Sequence, residues 1–121
     1  MAQAAAKFAA VLFTVAFCAP GVARAQSYPE FSELRLKLGR SVWIETCKPC
    51  HTTDIAGAPQ VSDKAAWAPR LKQSRETLYE HALKGLFGPK GTEMPPRGGN
   101  AVLTDDQVKA AVDYMITIVS H

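Results

Sequence analysis

Apolar positions along the chain change their period several times. Phe8 to Ala19 is nearly unbroken, with Thr14 its only polar member. From Phe31 the spacing turns helical, with Phe31, Leu34, Leu38 and Val42 at three- and four-residue intervals. A short helix is expected over Asp63–Trp67, and a clearer one through Thr77, Leu78, Tyr79, His81, Ala82 and Leu83. The last apolar stripe runs through Val108, Ala111, Val112, Met115, Ile116 and Val119, with Tyr114 beside it. No stretch alternates as a half-buried strand does, so the fold class is all-α.

Capping residues punctuate these helices. Ser74 is placed to cap the helix through Thr77–Leu83 and Gly85 to end it. Thr104-Asp105-Asp106-Gln107 is a capping box with two acids at the positive end of the helix dipole. Thr52–Ser62 is expected to be loop, as is Gly85–Gly99, whose glycines and prolines argue against regular structure. Gly39 costs about 1 kcal/mol relative to alanine inside a helix. It shares a face with Trp43 one turn on, which suits close approach of a second helix; fraying at Gly39 is the alternative.

The first apolar run changes the domain picture. It follows Lys7, is broken by Pro20-Gly21, and precedes Ala23-Arg24-Ala25, a small-x-small cleavage pattern. Residues 1–25 are therefore expected to be a cleaved secretory signal peptide, with cleavage between Ala25 and Gln26 and export to the periplasm. A bilayer span needs about twenty apolar residues, so stable membrane insertion is not expected after cleavage. Phe17 before Cys18 is too bulky for a lipoprotein site. Residues 26–121 form one domain with a modest core.

The whole chain carries a formal charge of +3, and losing Lys7 and Arg24 with the leader brings it close to neutral. That argues against nucleic acid as a partner.

Of three cysteines in the chain, two remain, in Cys47-Lys48-Pro49-Cys50-His51. Two thiols separated by two residues and followed by histidine form the attachment pattern of a c-type haem. The sulfurs can add across two vinyl groups on one porphyrin edge, and an imidazole nitrogen of His51 can bind the iron. A thioredoxin-like pair would need a strand–helix context, which is missing. A zinc site needs about four ligands, usually in two pairs. A porphyrin would also add apolar area to a small core.

Candidates for the iron's other face are Met94, Met115, His81 and lysines. Met115 lies in an apolar helical stripe and is more simply core. His81 falls mid-helix, where a boundary role is simplest. Met94 stands in Gly91-Thr92-Glu93-Met94-Pro95-Pro96, where two prolines restrict the backbone beside its thioether.

The order of leader, Gly39/Trp43 helix, CKPCH, Gly57-Ala58-Pro59, methionine loop and final helix with Tyr114 resembles class I cytochromes c. Asp63–Arg70, Leu78-Tyr79-Glu80-His81-Ala82 and Met94–Asn100 resemble the small bacterial cytochrome c5-like group. The resemblance spans nearly all of residues 26–121. It implies several short helices around one covalently bound haem c, with the terminal helices crossing at Gly39, Trp43 and Tyr114. Cys47 and Cys50 would form the thioethers, His51 and Met94 would be the axial metal ligands, and the Pro59 carbonyl would orient His51. Many c5-type chains carry a cysteine pair near the position of Asn100. This chain has none there, so the last loop is expected to be looser.

The function implied is a periplasmic one-electron carrier, monomeric and without substrate turnover, exchanging electrons with redox protein partners. Lys48 beside the haem edge could steer those partners, and Trp67 and Arg70 could approach the haem propionates. Rival readings are a dedicated subunit of a periplasmic redox complex, or a haem sensor or catalyst should Met94 not bind iron.

Overall fold

The first helix, α1, runs Leu34–Val42, passes straight through Gly39, and continues without a break into the attachment motif. These coordinates come from a computed structural model that describes residues 28–88 and 91–121. The expected leader, residues 1–25, lies outside the described residues.

Between α1 and α2 (Lys48–His51), residues Trp43–Cys47 form a wide π-helical turn in which the Lys48 N–H donates to the Trp43 carbonyl. Pro49 explains the widening. Its nitrogen has no hydrogen to donate, and its ring would crowd the carbonyl four residues back in a regular α-helix. The chain then turns through left-handed backbone at Asp54, Ala56 and Gly57 (φ 59°, 54° and 69°).

Two short helices follow. In α3 (Lys64–Trp67) the Asp63 carboxylate caps the Ala66 N–H at 3.0 Å. In α4 (Arg75–Lys84) the Ser74 hydroxyl accepts from the Thr77 N–H, and Gly85 ends the helix at φ 83°. The final helix α5 spans Asp105–Ser120, and both hydrogen bonds of the expected capping box form between Thr104 and Gln107. Among the described residues, no helix is long and apolar enough to cross a membrane.

Expectation and structure part at Gly85–Gly99. This stretch contains β1 (Leu86–Phe87) and β2 (Glu93–Met94), antiparallel, with Leu86 opposite Met94 and Phe87 opposite Glu93. The Gly88 N–H donates to the Thr92 carbonyl at 2.7 Å, which closes the turn. Pro95 and Pro96 cannot donate to a ladder, so pairing stops at Met94. The domain is nonetheless built of helices.

The core forms where α1 and the π-helical turn cross α5. Val42, Trp43, Trp67, Ala111, Tyr114, Met115 and Val119 are buried together. The Trp43 and Tyr114 rings lie 5.7 Å apart, and Phe31 meets Tyr114 edge-on at 5.9 Å. The Tyr114 hydroxyl donates to the Pro29 carbonyl at 2.9 Å. The stripe expected for α1 is rotated, however. Leu34 is 83% exposed and Leu38 38% exposed. Contact through Gly39 decides which face of α1 meets α5, and 100° steps from Gly39 carry Arg35 and Trp43 inward and Leu34 outward.

A buried carboxylate ties three helices together. Asp113 on α5 is 4% exposed and pairs with Arg35 of α1 and Arg75 of α4. The Tyr79 hydroxyl donates to the same carboxylate at 2.6 Å. Hydrogen bonding to Asp113 raises the Arg35 guanidinium above its ordinary value. Sequence reasoning missed this cluster. Its trace in the sequence was slight, a single acid inside the apolar run Ala110-Ala111-Val112-Asp113-Tyr114-Met115 of the final helix.

Candidate haem site

Crossing of α1 and α5 leaves a cavity of about 370 Å³ between α2, α4, α5 and the β1–β2 hairpin. His51 and Pro59 form one wall, Leu78, His81 and Ala82 a second, and Leu86 and Met94 a third. Val112, Met115 and Ile116 of α5 close the back. The final apolar stripe therefore serves two purposes, since Met115 belongs both to the packed core and to this wall. Trp67 and Arg70 also border the cavity.

His51 is 7% exposed, and its Nδ1 lies 2.9 Å from the Pro59 carbonyl oxygen. A carbonyl only accepts, so Nδ1 carries the proton and Nε2 keeps a free electron pair. Burial lowers the His51 pKa, the Pro59 hydrogen bond opposes that, and Arg70 adds to the lowering. The net result favours neutral imidazole, the form that binds metals. The Val61 N–H donates to the His51 carbonyl at 2.9 Å, which holds the end of α2 against the Pro59 loop.

Cys47 closes the π-helical turn and Cys50 lies inside α2; both are free thiols and half-buried. Burial, and next the neighbouring Cys50, push the Cys47 thiol up to about 11. Neither cysteine lines the cavity, but both stand on the helical segment that carries His51 into it. The Trp67 indole N–H donates to the Gln60 carbonyl at 2.9 Å, so it is not available to a propionate. An Arg70 N–H donates to the Ala66 carbonyl. Lys48 lies over the Tyr28 ring at 5.4 Å.

Met94 reaches the cavity because the ladder with Leu86 fixes its backbone. The following loop is tied to α5 by Arg97, which donates to the Leu103 carbonyl at 2.8 Å and pairs with Asp105 at 2.5 Å. Sequence reasoning did not find these bonds. An apolar cavity, a buried neutral imidazole with a free nitrogen, and two free thiols on its helix fit a covalently attached haem.

Residues 35–115 match the family model described as cytochrome c oxidase, cbb3-type, subunit III. Cytochrome c-555 of Chlorobaculum tepidum is 51% identical over 78 residues, covering 64% of this chain and 71% of that protein. The chain is a small class I c-type cytochrome. Cytochrome c5 of Azotobacter vinelandii is 38% identical over 79 residues, covering 64% of this cytochrome and 89% of the relative. A chain from the crystal structure of an electron transfer complex of nitrite reductase with cytochrome c superposes with a TM-score of 0.59 at 39% identity. That alignment covers 68% of this chain and 94% of the other. As a c-type cytochrome, the protein binds one covalently attached haem c and carries electrons.

Proposed function

We propose that this cytochrome is a periplasmic one-electron carrier whose haem is attached through Cys47 and Cys50 and ligated by His51 and Met94. The observation that supports it most is the pairing of His51 with Pro59 on one wall of a cavity that Met94 lines from another. The Pro59 carbonyl orients His51 and keeps its Nε2 deprotonated. The Leu86–Met94 ladder and the two prolines after it hold the thioether. Haem with these ligands supplies a reversible one-electron couple, and thioether ligation favours the ferrous state and a relatively high potential.

Two protein ligands leave no position for a substrate, so the cytochrome is a carrier rather than an enzyme. Its working form is residues 26–121, a monomer, released after cleavage between Ala25 and Gln26. Its partners are other redox proteins. A solved relative in an electron transfer complex with nitrite reductase supports that class of partner.

A second reading, a dedicated subunit of a periplasmic redox complex, is favoured by the family model, whose description names an oxidase subunit. Visible spectra of the exported protein, oxidised and reduced, test the ligands. A c-type reduced spectrum with the weak far-red band of ferric methionine–iron ligation is expected. A high-spin ferric spectrum would overturn Met94 as ligand and point to sensing or catalysis. Stoichiometric co-purification with a membrane oxidase would favour the subunit reading, whereas a monomer on size exclusion supports the free carrier.

A further inference from the structure

His81 occupies an unusual place for a histidine with no assigned role. It sits in α4 between Leu78 and Ala82 on the cavity-facing side, half-buried, and makes no hydrogen bond to a described residue. Its ring nitrogens are not among the buried atoms left without a partner, so they are open to water or to a group held in the cavity. His81 and Met94 line the same cavity. His81 lies one helical turn before Gly85. A Cβ on Gly85 would stand 2.8 Å from the Met94 carbonyl oxygen and 3.0 Å from the Pro96 ring. The Met94 main chain therefore crosses the end of α4 at Gly85, one helical turn beyond His81.

We propose that His81 is a reserve axial ligand, which binds the haem iron from the Met94 side whenever the Met94 thioether leaves it. The inference rests on the reading that Met94 is the resident ligand. Imidazole is a good donor to ferric iron, and exchange of thioether for imidazole removes the ligand that favours the ferrous state. Loss of Met94 would therefore convert the carrier to a closed, low-potential form instead of opening the iron to small molecules. The ligand change needs no electron or atom from outside the protein; the released thioether and bound imidazole simply trade places.

The test compares haem-loaded Met94→Ala with Met94→Ala/His81→Phe, read by ferric optical and electron paramagnetic resonance spectra and by azide titration. Met94→Leu, which keeps the side chain's volume, is made alongside so that a poorly loaded alanine variant does not decide the outcome. The expected result is a low-spin single variant without the far-red methionine band and a high-spin double variant. Azide should bind the single variant about tenfold more weakly, because His81 occupies the site for most of the time. A high-spin single variant, or a double variant still low-spin through another residue, overturns the proposal while leaving Met94 as ligand. A single variant that keeps the native far-red band overturns the Met94 reading itself, and the reserve role with it.

Discussion

Gly39 and Ala110 touch backbone to backbone where α1 crosses α5. A methyl group on Gly39 would lie 2.6 Å from the Ala110 carbonyl carbon, closer still to its oxygen, and 3.0 Å from Tyr114 Cβ. Neither obstacle is a flexible side-chain end, so the helices must separate to admit it. Gly39→Ala gains about 1 kcal/mol of helix propensity but introduces overpacking that typically costs about 1–3 kcal/mol. A net loss is expected, seen as a lower urea midpoint of the haem-loaded protein. A raised midpoint would show that the crossing is looser than the geometry implies.

Asp113 is the second fastening, and it joins α4 to the same crossing. Replacing it by alanine strands Arg35, Arg75 and the Tyr79 hydroxyl at once. Breaking a fully buried pair costs about 3–5 kcal/mol, but Arg35 and Arg75 are half-exposed and can recover water, so about 1–3 kcal/mol is expected. A double-mutant cycle of Asp113→Asn with Tyr79→Phe, followed by thermal unfolding, should give a coupling above about 0.5 kcal/mol. Strict additivity would mean that the hydroxyl bond contributes nothing.

These two fastenings differ in how far the sequence announces them. Gly39 and Trp43, one turn apart, pointed to a close crossing, and the capping box at Thr104 located the start of α5. The attachment motif named the cofactor because its chemistry is local. Asp113 was barely legible, since its partners lie 34, 38 and 78 residues away and one acid in an apolar run is a weak local mark. The face of α1 was misjudged for a related reason. Leu34 and Leu38 have helical spacing, but orientation is decided by the glycine contact and by the inward Arg35, which count as breaks in a hydrophobic pattern. The Leu86–Met94 ladder was hidden by its glycines and prolines, which bound a two-residue pairing instead of preventing it.

Tyr114 gives the protein an alkaline limit. Its ring is fully buried, and burial raises its hydroxyl above the ordinary value of 10.0. With the folded pKa raised, the unfolded chain loses this proton first as pH climbs. The stabilising contribution is complete below about pH 10 and falls as pH rises toward the folded value. Tyr114→Phe removes that term along with the hydrogen bond to the Pro29 carbonyl. The variant should be less stable at neutral pH by about 1 kcal/mol, and the gap to wild type should shrink above about pH 10. Urea unfolding at both pH values checks this, and a gap that widens with pH would contradict it.

Arg97 offers a case in which backbone and side chain pull in opposite directions. Its φ of 55° is left-handed, a conformation that glycine adopts more readily than arginine, while its guanidinium ties the Met94 loop to Leu103 and Asp105. Arg97→Ala keeps the strained backbone and loses the tie; Arg97→Gly relieves the backbone and loses the same tie. Global stability should fall by no more than about 1 kcal/mol in the alanine variant, since Asp105 is well exposed, and by less in the glycine variant. The loop should respond more strongly. The Gly98 N–H bonds to Pro95 and the Asn100 N–H to Arg97, so hydrogen exchange at these two amides reports local opening. Faster exchange in both variants, with helix amides unchanged, is the expected pattern. Equal exchange in wild type and variants would mean that the hairpin alone holds the loop.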